Sequence, residues 1–288
     1  MSPIIYAWTA SIIYGLFALT AKFIGKYTLK NVYQFSFFIT LFSGIIGGTI
    51  SIFNGASMPS NWTYIVLSAL LLSVGNIMYL SSLKHLDVSV MSPLFNLRVV
   101  ITLLLGYFLL GEKMSQNSVY IVCLIFIAGI FSTMDEKFSI KSFFTKKIAL
   151  GLLFMFVLSI QSYFVNRAID QTNYWTATLW MALLAPIFSF IFLFKSFYKD
   201  VIVSKIPDYY GVLILSIFGG IGDLAAYKAF SGNVGISSII ISLPISMILV
   251  FILSFIKPDL LEKHPVKVYL VRFTAAAIMI WGALKLSI

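Results

Sequence analysis

The stretch "SVMSPLFNLRVVITLLLGYFLLGEK", Ser89 to Lys113, has the length and apolar character of a transmembrane helix. Such a helix needs about 20 apolar residues to cross a hydrocarbon core about 30 Å thick. One residue does not fit, because Arg98 lies about ten residues into the predicted helix, about 15 Å deep and near the midplane. A charge there costs about 2.5–3.5 kcal/mol, so we expect Arg98 to face a water-filled cavity or a partner.

The rest of the chain has the composition of a polytopic membrane protein. Its 288 residues are 60% hydrophobic and only 10% charged, with a mean hydropathy of +0.99, whereas soluble domains are about a quarter charged. Ten stretches of membrane-spanning length cover approximately residues 3–23, 33–53, 62–83, 88–110, 117–134, 148–168, 174–194, 210–230, 236–256 and 267–286. We therefore expect an all-α integral membrane protein with ten transmembrane helices.

Several function classes find no support in the sequence. The net charge of +10 comes from Lys and Arg residues in short loops between apolar runs, which is unlike the continuous basic surface of a nucleic-acid-binding protein. The single cysteine, Cys123, excludes an intrachain disulfide and a cysteine-based metal cluster. No phosphate-binding glycine loop or Ser-His-Asp set is present. We expect no cofactor, no metal, no catalytic residues and no enzymatic activity.

The helices repeat in order along the chain. The third helix ends in "VGNIMYLSSL" and the eighth in "IGDLAAYKAF", so that Gly75-Asn76 corresponds to Gly222-Asp223, each followed a turn later by a tyrosine, Tyr79 or Tyr227. Pro93 in the fourth helix likewise corresponds to Pro244 in the ninth. This order predicts a first five-helix repeat over residues 1–134, a connecting loop over 135–147 and a second repeat over 148–288. Because five is odd, the two repeats are predicted to be inverted, a plan typical of secondary transporters.

With these features the sequence resembles the EamA-like family of the drug/metabolite transporter (DMT) superfamily. The resemblance is carried by the five-plus-five arrangement, by "WTASIIYGLFALTAK" with Gly15 in the first helix, and by the fourth helix ending in Gly111-Glu112-Lys113. It implies a ten-helix carrier of small metabolites, often amino acids, other amphoteric compounds or drugs. It also implies a central cavity lined mainly by the first, third, fourth, sixth, eighth and ninth helices, and both termini inside the cell.

The distribution of charge predicts the opposite orientation. Loops on the side of both termini hold Lys113, Arg167, Lys228 and Lys285. Loops on the other side hold Lys22, Lys26, Lys30, Lys84, Lys137, Lys141, Lys146, Lys147, Lys195, Lys199, Lys205, Lys257, Lys263 and Lys267. Because cytoplasmic loops are the ones enriched in Lys and Arg, this count places both termini outside the cell membrane, which is the membrane we expect the protein to occupy.

Arg98 and Asp223 are the leading candidates for a substrate site. The guanidinium of Arg98 matches a carboxylate or a phosphate, although an arginine fixed to backbone carbonyls or to a carboxylate of another helix fits the sequence too. Asp223 is the only carboxylate well inside a predicted span. It could bind a substrate ammonium, carry a coupled proton or neutralise Arg98. The sequence leaves these three roles open.

Other polar and aromatic residues at similar depth complete the predicted site. On a helical wheel Arg98 points away from the stripe of Ser89, Ser92 and Asn96, so only one of these two faces of the fourth helix can fully face the cavity. The predicted substrate-binding residues are Arg98, Asp223, Asn76, Gln161, Asn96, Tyr163, Tyr14 and Tyr227.

The sequence therefore predicts a secondary carrier of a small anionic or amphoteric metabolite, such as an amino acid, in the lipid bilayer. Arg98 would hold the acidic group and Asp223 the amine or a proton, with Asn76 and Gln161 orienting the substrate. An intramembrane lipid-handling protein or enzyme, and a channel, are the alternatives. The substrate's identity, the direction of transport, proton coupling and a homodimer all stay open.

Overall fold

The structure is a computed structural model that describes residues 2–27, 29, 31–86, 88–111, 113, 115–133, 146–254 and 266–287. Within them the chain forms α-helices joined by short loops, with one 3-10 turn at Ile206–Tyr209. The helices are α1 Pro3–Tyr27, α2 Val32–Phe53, α3 Thr63–His85, α4 Val88–Leu110, α5 Gln116–Thr133, α6 Lys146–Gln171, α7 Tyr174–Val203, α8 Tyr210–Phe230, α9 Val234–Ile241, α10 Ile245–Ser254 and α11 Val266–Ser287. Most of the predicted connecting loop, and Glu112, lie outside the described residues.

The expected all-helical membrane architecture is confirmed. Among the described residues, seven helices are long and apolar enough to cross a membrane, namely α1, α2, α3, α6, α7, α8 together with the preceding turn, and α11. Large apolar side chains on the outer surface are exposed, for example Phe108, Ile191 and Leu270. Exposed apolar area on this scale is unusual in a soluble monomer and suits contact with lipid.

Two helices differ most from their predicted extents. The ninth predicted span is divided into α9 and α10 at Ser242–Pro244, where the backbone N–H of Ile245 bonds the carbonyl of Leu243 at 2.8 Å. Pro244 lacks an N–H and cannot continue the helical pattern. In contrast, Pro93 lies within α4, which is assigned without a break.

The seventh helix was predicted to end at residue 194 but continues to Val203. Its added residues project beyond the apolar stretch and are fixed from α2. There the side-chain amide of Asn31 donates to the carbonyl of Ser196 at 2.9 Å and to the carboxylate of Asp200 at 2.6 Å. Phe197 in this extension is also buried, with its ring stacked against α2. Hydropathy ends the predicted span earlier because charged residues interrupt the apolar run here.

The most extensive helix contacts join α2 to α7, α1 to α8, α3 to α6, and α5 to α11. The contact of α2 with α7 is close, because a Cβ on Gly44 would overlap the carbonyl oxygen of Ala182. α4 packs against α5, α6 and α9, and α1 packs against α9 and α10.

Buried apolar residues form two clusters at opposite ends of the bundle. Along α1, Ala7 and Ala10 belong to the first cluster and Ala21 and Ile24 to the second. Along α8, Ala226 and Phe230 belong to the first cluster, and Val212 and Leu215 belong to the second. Tyr14 on α1 and Asp223 on α8 lie between the clusters, so any site that contains them has apolar packing above and below it.

Candidate functional site

A cavity of about 120 Å³ lies between the two apolar clusters. This volume counts the space open to the centres of water-sized spheres, of which one ordered water needs about 10–15 Å³. The cavity therefore has room for several waters or a small molecule. Its lining comes from α1, α3, α4, α6, α8 and the broken segment α9–α10, and it includes Tyr14, Asn76, Arg98, Gln161, Asp223 and Tyr227. Six of the eight predicted site residues therefore meet in one cavity.

The remaining two predicted residues are placed differently. Tyr163 is not among the residues that line this cavity; its ring instead contacts the guanidinium of Arg167, 5.7 Å from the ring centroid. Gln161 and Tyr163 are two residues apart on α6, which places them on opposite faces of the helix. Asn96 lies in α4, but its side chain is outside the described part of the structure.

Arg98 is 3% exposed and is held from two sides. One terminal nitrogen of its guanidinium donates to the hydroxyl of Ser162 on α6, and the ring centroid of Phe230 lies 5.6 Å from its central carbon. Its Nε has no hydrogen-bond partner. A buried donor without a partner is costly, so Arg98 carries an unsatisfied polar group in the wall of the cavity.

The backbone beneath Arg98 is also fixed by α6. The hydroxyl of Ser159 donates to the carbonyl of Met155 at 2.8 Å and lies 3.3 Å from the carbonyl of Arg98, while the Thr102 hydroxyl donates to that Arg98 carbonyl at 2.7 Å. The contacts of Arg98 thus tie α4 to α6. The arginine is supported by short polar residues that the sequence does not mark as site residues.

Asp223 is bound by a tyrosine and not by the arginine. The hydroxyl of Tyr14 donates to Oδ1 of Asp223 at 2.5 Å. Arg98 and Asp223, both described by the structure, form no ion pair, since Arg98 donates to Ser162 instead. The structure thus gives no support to a structural Arg98–Asp223 pair.

Glycine makes the contact of Tyr14 with α8 possible. A Cβ on Gly222 would lie 2.8 Å from Cε1 of Tyr14, which is closer than real Cβ atoms approach. The absent side chain lets the tyrosine ring lie close against α8, with its hydroxyl at Asp223. The two residues of the "Gly-Asp" pair therefore act together on Tyr14. Gly222 leaves space for its ring, and Asp223 accepts the hydrogen bond from its hydroxyl.

Four buried polar atoms of the lining have no hydrogen-bond partner. Arg98 Nε and the amide nitrogen of Gln161 can only donate, while the hydroxyl groups of Ser11 and Tyr227 can donate or accept. The rest of the wall is apolar and aromatic, with Leu71, Leu72, Phe95, Phe154 and Leu158 among its members. A ligand that fits this cavity presents acceptors to the donors and an apolar part to the aromatic wall.

Some residues of the site were missed in the sequence. Ser11 lies one turn before Tyr14, Ser162 follows Gln161, and Phe230 ends α8. Serine is common in membrane helices as a packing residue, so composition gives no reason to single out these positions. Only helical spacing from Tyr14 could have indicated Ser11.

Comparisons with known proteins agree with this architecture. No curated protein sequence matches the chain. Among solved structures, 28 chains match. One of them, described only as "Crystal structure of protein", superposes with a TM-score of 0.69 at 15% sequence identity, over 98% of this chain and 94% of that chain. At this identity the likeness establishes a shared fold and nothing about the ligand.

The first part of the chain has a recognisable family. Residues 1–134, which contain α1 to α5, match the sequence model of the EamA-like transporter family. The resemblance drawn from the sequence is thus confirmed over these residues. Over its first five helices the chain is therefore similar to the EamA-like transporters, a family of the drug/metabolite transporter superfamily.

Proposed function

We propose that the protein is a secondary carrier of a small anionic or amphoteric metabolite, such as an amino acid. The observation that carries the proposal is the buried cavity that combines an unsatisfied Arg98 with Asp223, which belong to different halves of the chain. Arg98 and Gln161 bind the acidic group, while Asp223 receives the amine. Asn76 and Tyr227 complete the polar lining, and the aromatic wall takes the apolar part of the substrate.

Alternating access between two inverted five-helix repeats is the mechanism that suits this arrangement. In the two proposed halves α1 corresponds to α6, α2 to α7, α3 to α8 and α5 to α11. The contact of α1 with α8 then corresponds to the contact of α6 with α3, and the contacts of α2 with α7 and of α5 with α11 each join a helix to its own counterpart. Two asparagines, Asn31 and Asn173, also cap the corresponding helices α2 and α7. Two similar halves that exchange conformations would open a site between them to each side in turn.

A carrier fits the polar residues better than the two alternatives. An enzyme or lipid-handling protein would need its polar groups near one membrane interface, whereas these groups lie between two apolar clusters. Apolar clusters pack on both sides of this level of the bundle, which suits a carrier better than a continuous polar pore. We further propose, from the charge count, that both termini lie outside the cell membrane.

Two experiments test the proposal. A thermal-shift screen of the purified protein against amino acids, organic acids and phosphorylated metabolites should find stabilising ligands that carry a carboxylate or phosphate. The ligand should then show counterflow in proteoliposomes, with faster uptake when unlabelled ligand is loaded on the opposite side. Flux without such trans-stimulation would indicate a channel, and an absence of any acidic ligand would contradict the proposed site.

A further inference from the structure

A second cavity of about 80 Å³ adjoins the first one. The two share Tyr14, Phe17, Leu72, Asn76, Asp223 and Tyr227, and the second cavity extends from Asp223 toward α2 and α7. The space arises partly from glycine: Gly47 is buried, yet a Cβ placed on it would meet no atom within 4 Å. Asp223 therefore stands at the junction of two compartments.

The serine and threonine hydroxyl groups that line the second cavity all donate their hydrogens to backbone carbonyls, whereas of its two tyrosines Tyr14 donates to Asp223 and Tyr227 has no partner. Thr40 donates to Ser36 at 2.8 Å, Ser43 to Ser216 at 3.0 Å and Thr178 to Tyr174 at 2.7 Å. A hydroxyl has one hydrogen and two lone pairs. Toward the cavity these three side chains consequently offer oxygen lone pairs and no donor.

The other polar groups of this cavity add further acceptors. Asn76 donates from its amide nitrogen to Thr40 at 2.9 Å, which leaves its amide oxygen available. Asp223 uses Oδ1 to accept the Tyr14 hydroxyl and keeps its second oxygen. The first cavity differs in chemistry. The polar groups without a partner that line only this cavity are Nε of Arg98, the amide nitrogen of Gln161 and the hydroxyl of Ser11.

We propose that the second cavity is a binding site for a small monovalent cation. Hydroxyl, amide and carboxylate oxygens are the ligands that hard cations prefer, and Asp223 supplies the negative charge. The same oxygen atoms can bind either of two cations. One is a metal ion such as Na⁺, and the other is the ammonium group of a substrate whose acidic group lies in the first cavity. The cation site rests on the proposed function, because both use Asp223. Cation binding is measured without substrate, so the cation site and the carrier function can each fail while the other stands.

The test is the thermal stability of the purified, full-length protein in detergent without substrate. Choline chloride is replaced at constant ionic strength by sodium chloride in one arm and by methylammonium chloride in the other. Saturable stabilisation by Na⁺ indicates a metal-ion site, and stabilisation by methylammonium alone indicates a site for the substrate's amine. If neither cation raises the melting temperature above that in choline, the proposal is wrong.

A matched pair of variants locates the effect. Thr178→Val removes an oxygen from the second cavity, while Thr274→Val removes the same hydroxyl, with the same bond to the carbonyl four residues earlier, from the exposed face of α11. The first variant should raise the half-saturating cation concentration at least about fivefold, and the second should leave it unchanged. Equal responses in both variants would contradict the assignment.

Two further variants keep the test decisive should Thr178→Val fold poorly. Gly47→Ala places a methyl group in buried open space without a clash, so the protein should fold and bind the cation more weakly. Arg98→Ala changes only the first cavity and should retain the cation response while it loses acidic ligands. Wild-type cation binding in Gly47→Ala would count against the site.

Discussion

The hydroxyl of Tyr14 lies 2.5 Å from the carboxylate of Asp223, joining α1 to α8 across 209 residues of sequence. This bond crosses the boundary between the two halves of the chain at the point where both cavities meet. The hydrogen bond orients the aspartate through Oδ1 and leaves its second oxygen available to a ligand. The carboxylate is thereby positioned by a neutral donor, while Arg98 is bound to Ser162 and is not paired with Asp223.

Tyr14→Phe should weaken binding of any ligand that depends on Asp223. Loss of a hydrogen bond to a charged group costs about 1.5–3 kcal/mol, so affinity should fall by about tenfold or more. A double-mutant cycle with Asp223→Asn checks the mechanism, because residues in direct contact couple by about 0.5–3 kcal/mol. Additive effects in the cycle would show that the two side chains act separately.

Gly222→Ala should disturb the site where Gly75→Ala does not. The added Cβ on Gly222 lies 2.8 Å from the Tyr14 ring, whereas on Gly75 the nearest side-chain atom, from Phe154, is 3.7 Å away. Overpacking of this kind costs about 1–3 kcal/mol. The melting temperature and transport rate should both fall in Gly222→Ala and stay near wild type in Gly75→Ala, and a reversed order would contradict the packing described here.

Ser162→Ala should loosen Arg98 without removing it. The variant deletes the acceptor for one terminal nitrogen of the guanidinium, which leaves a second unpaired donor in a buried position. Affinity for acidic ligands should drop by about three- to tenfold, measured by titration of the purified protein. Ser36→Ala, on a buried hydroxyl of α2 that lines neither cavity, is the control and should bind like wild type.

The orientation of the chain can be measured with thiol labels. The single native cysteine, Cys123, is exposed and is first replaced by serine. Cysteines at Ser2 and Asn54, on the side of both termini, should then react with a membrane-impermeant maleimide on intact cells. Protection of both positions until the cells are lysed would reverse the orientation that the charge count predicts.

The sequence predicts the helices and most of the candidate site, for an identifiable reason. Polar groups are costly inside the bilayer, so Arg98, Asp223, Asn76 and Gln161 stand out against their apolar surroundings, and all four line the cavity. The aromatic candidates carry a weaker signal, because aromatic residues also pack in the core and at interfaces. Tyr14 and Tyr227 line the cavity, but Tyr163 contacts Arg167.

Other features depend on tertiary contacts that hydropathy does not register. The last residues of α7 are fixed by Asn31, from a distant part of the sequence. The hydroxyl groups of the second cavity look like ordinary packing residues until the direction of each hydrogen bond is known. The partner of Asp223 was equally hidden, because an arginine and a tyrosine at the same depth both fit the pattern.

Arg98 as the clamp for an acidic group is the central claim, and matched ligands test it most directly. Once a stabilising acid is found, its affinity is compared with that of its uncharged amide, in wild type and in Arg98→Ala. Wild type should prefer the acid by at least about thirtyfold, since breaking a buried charge pair costs about 2–5 kcal/mol. Arg98→Ala should lose that preference, while Arg167→Ala, which removes an arginine from outside the cavity, should keep it. An Arg98→Ala protein that folds and still binds the acid with wild-type affinity and preference would contradict the account.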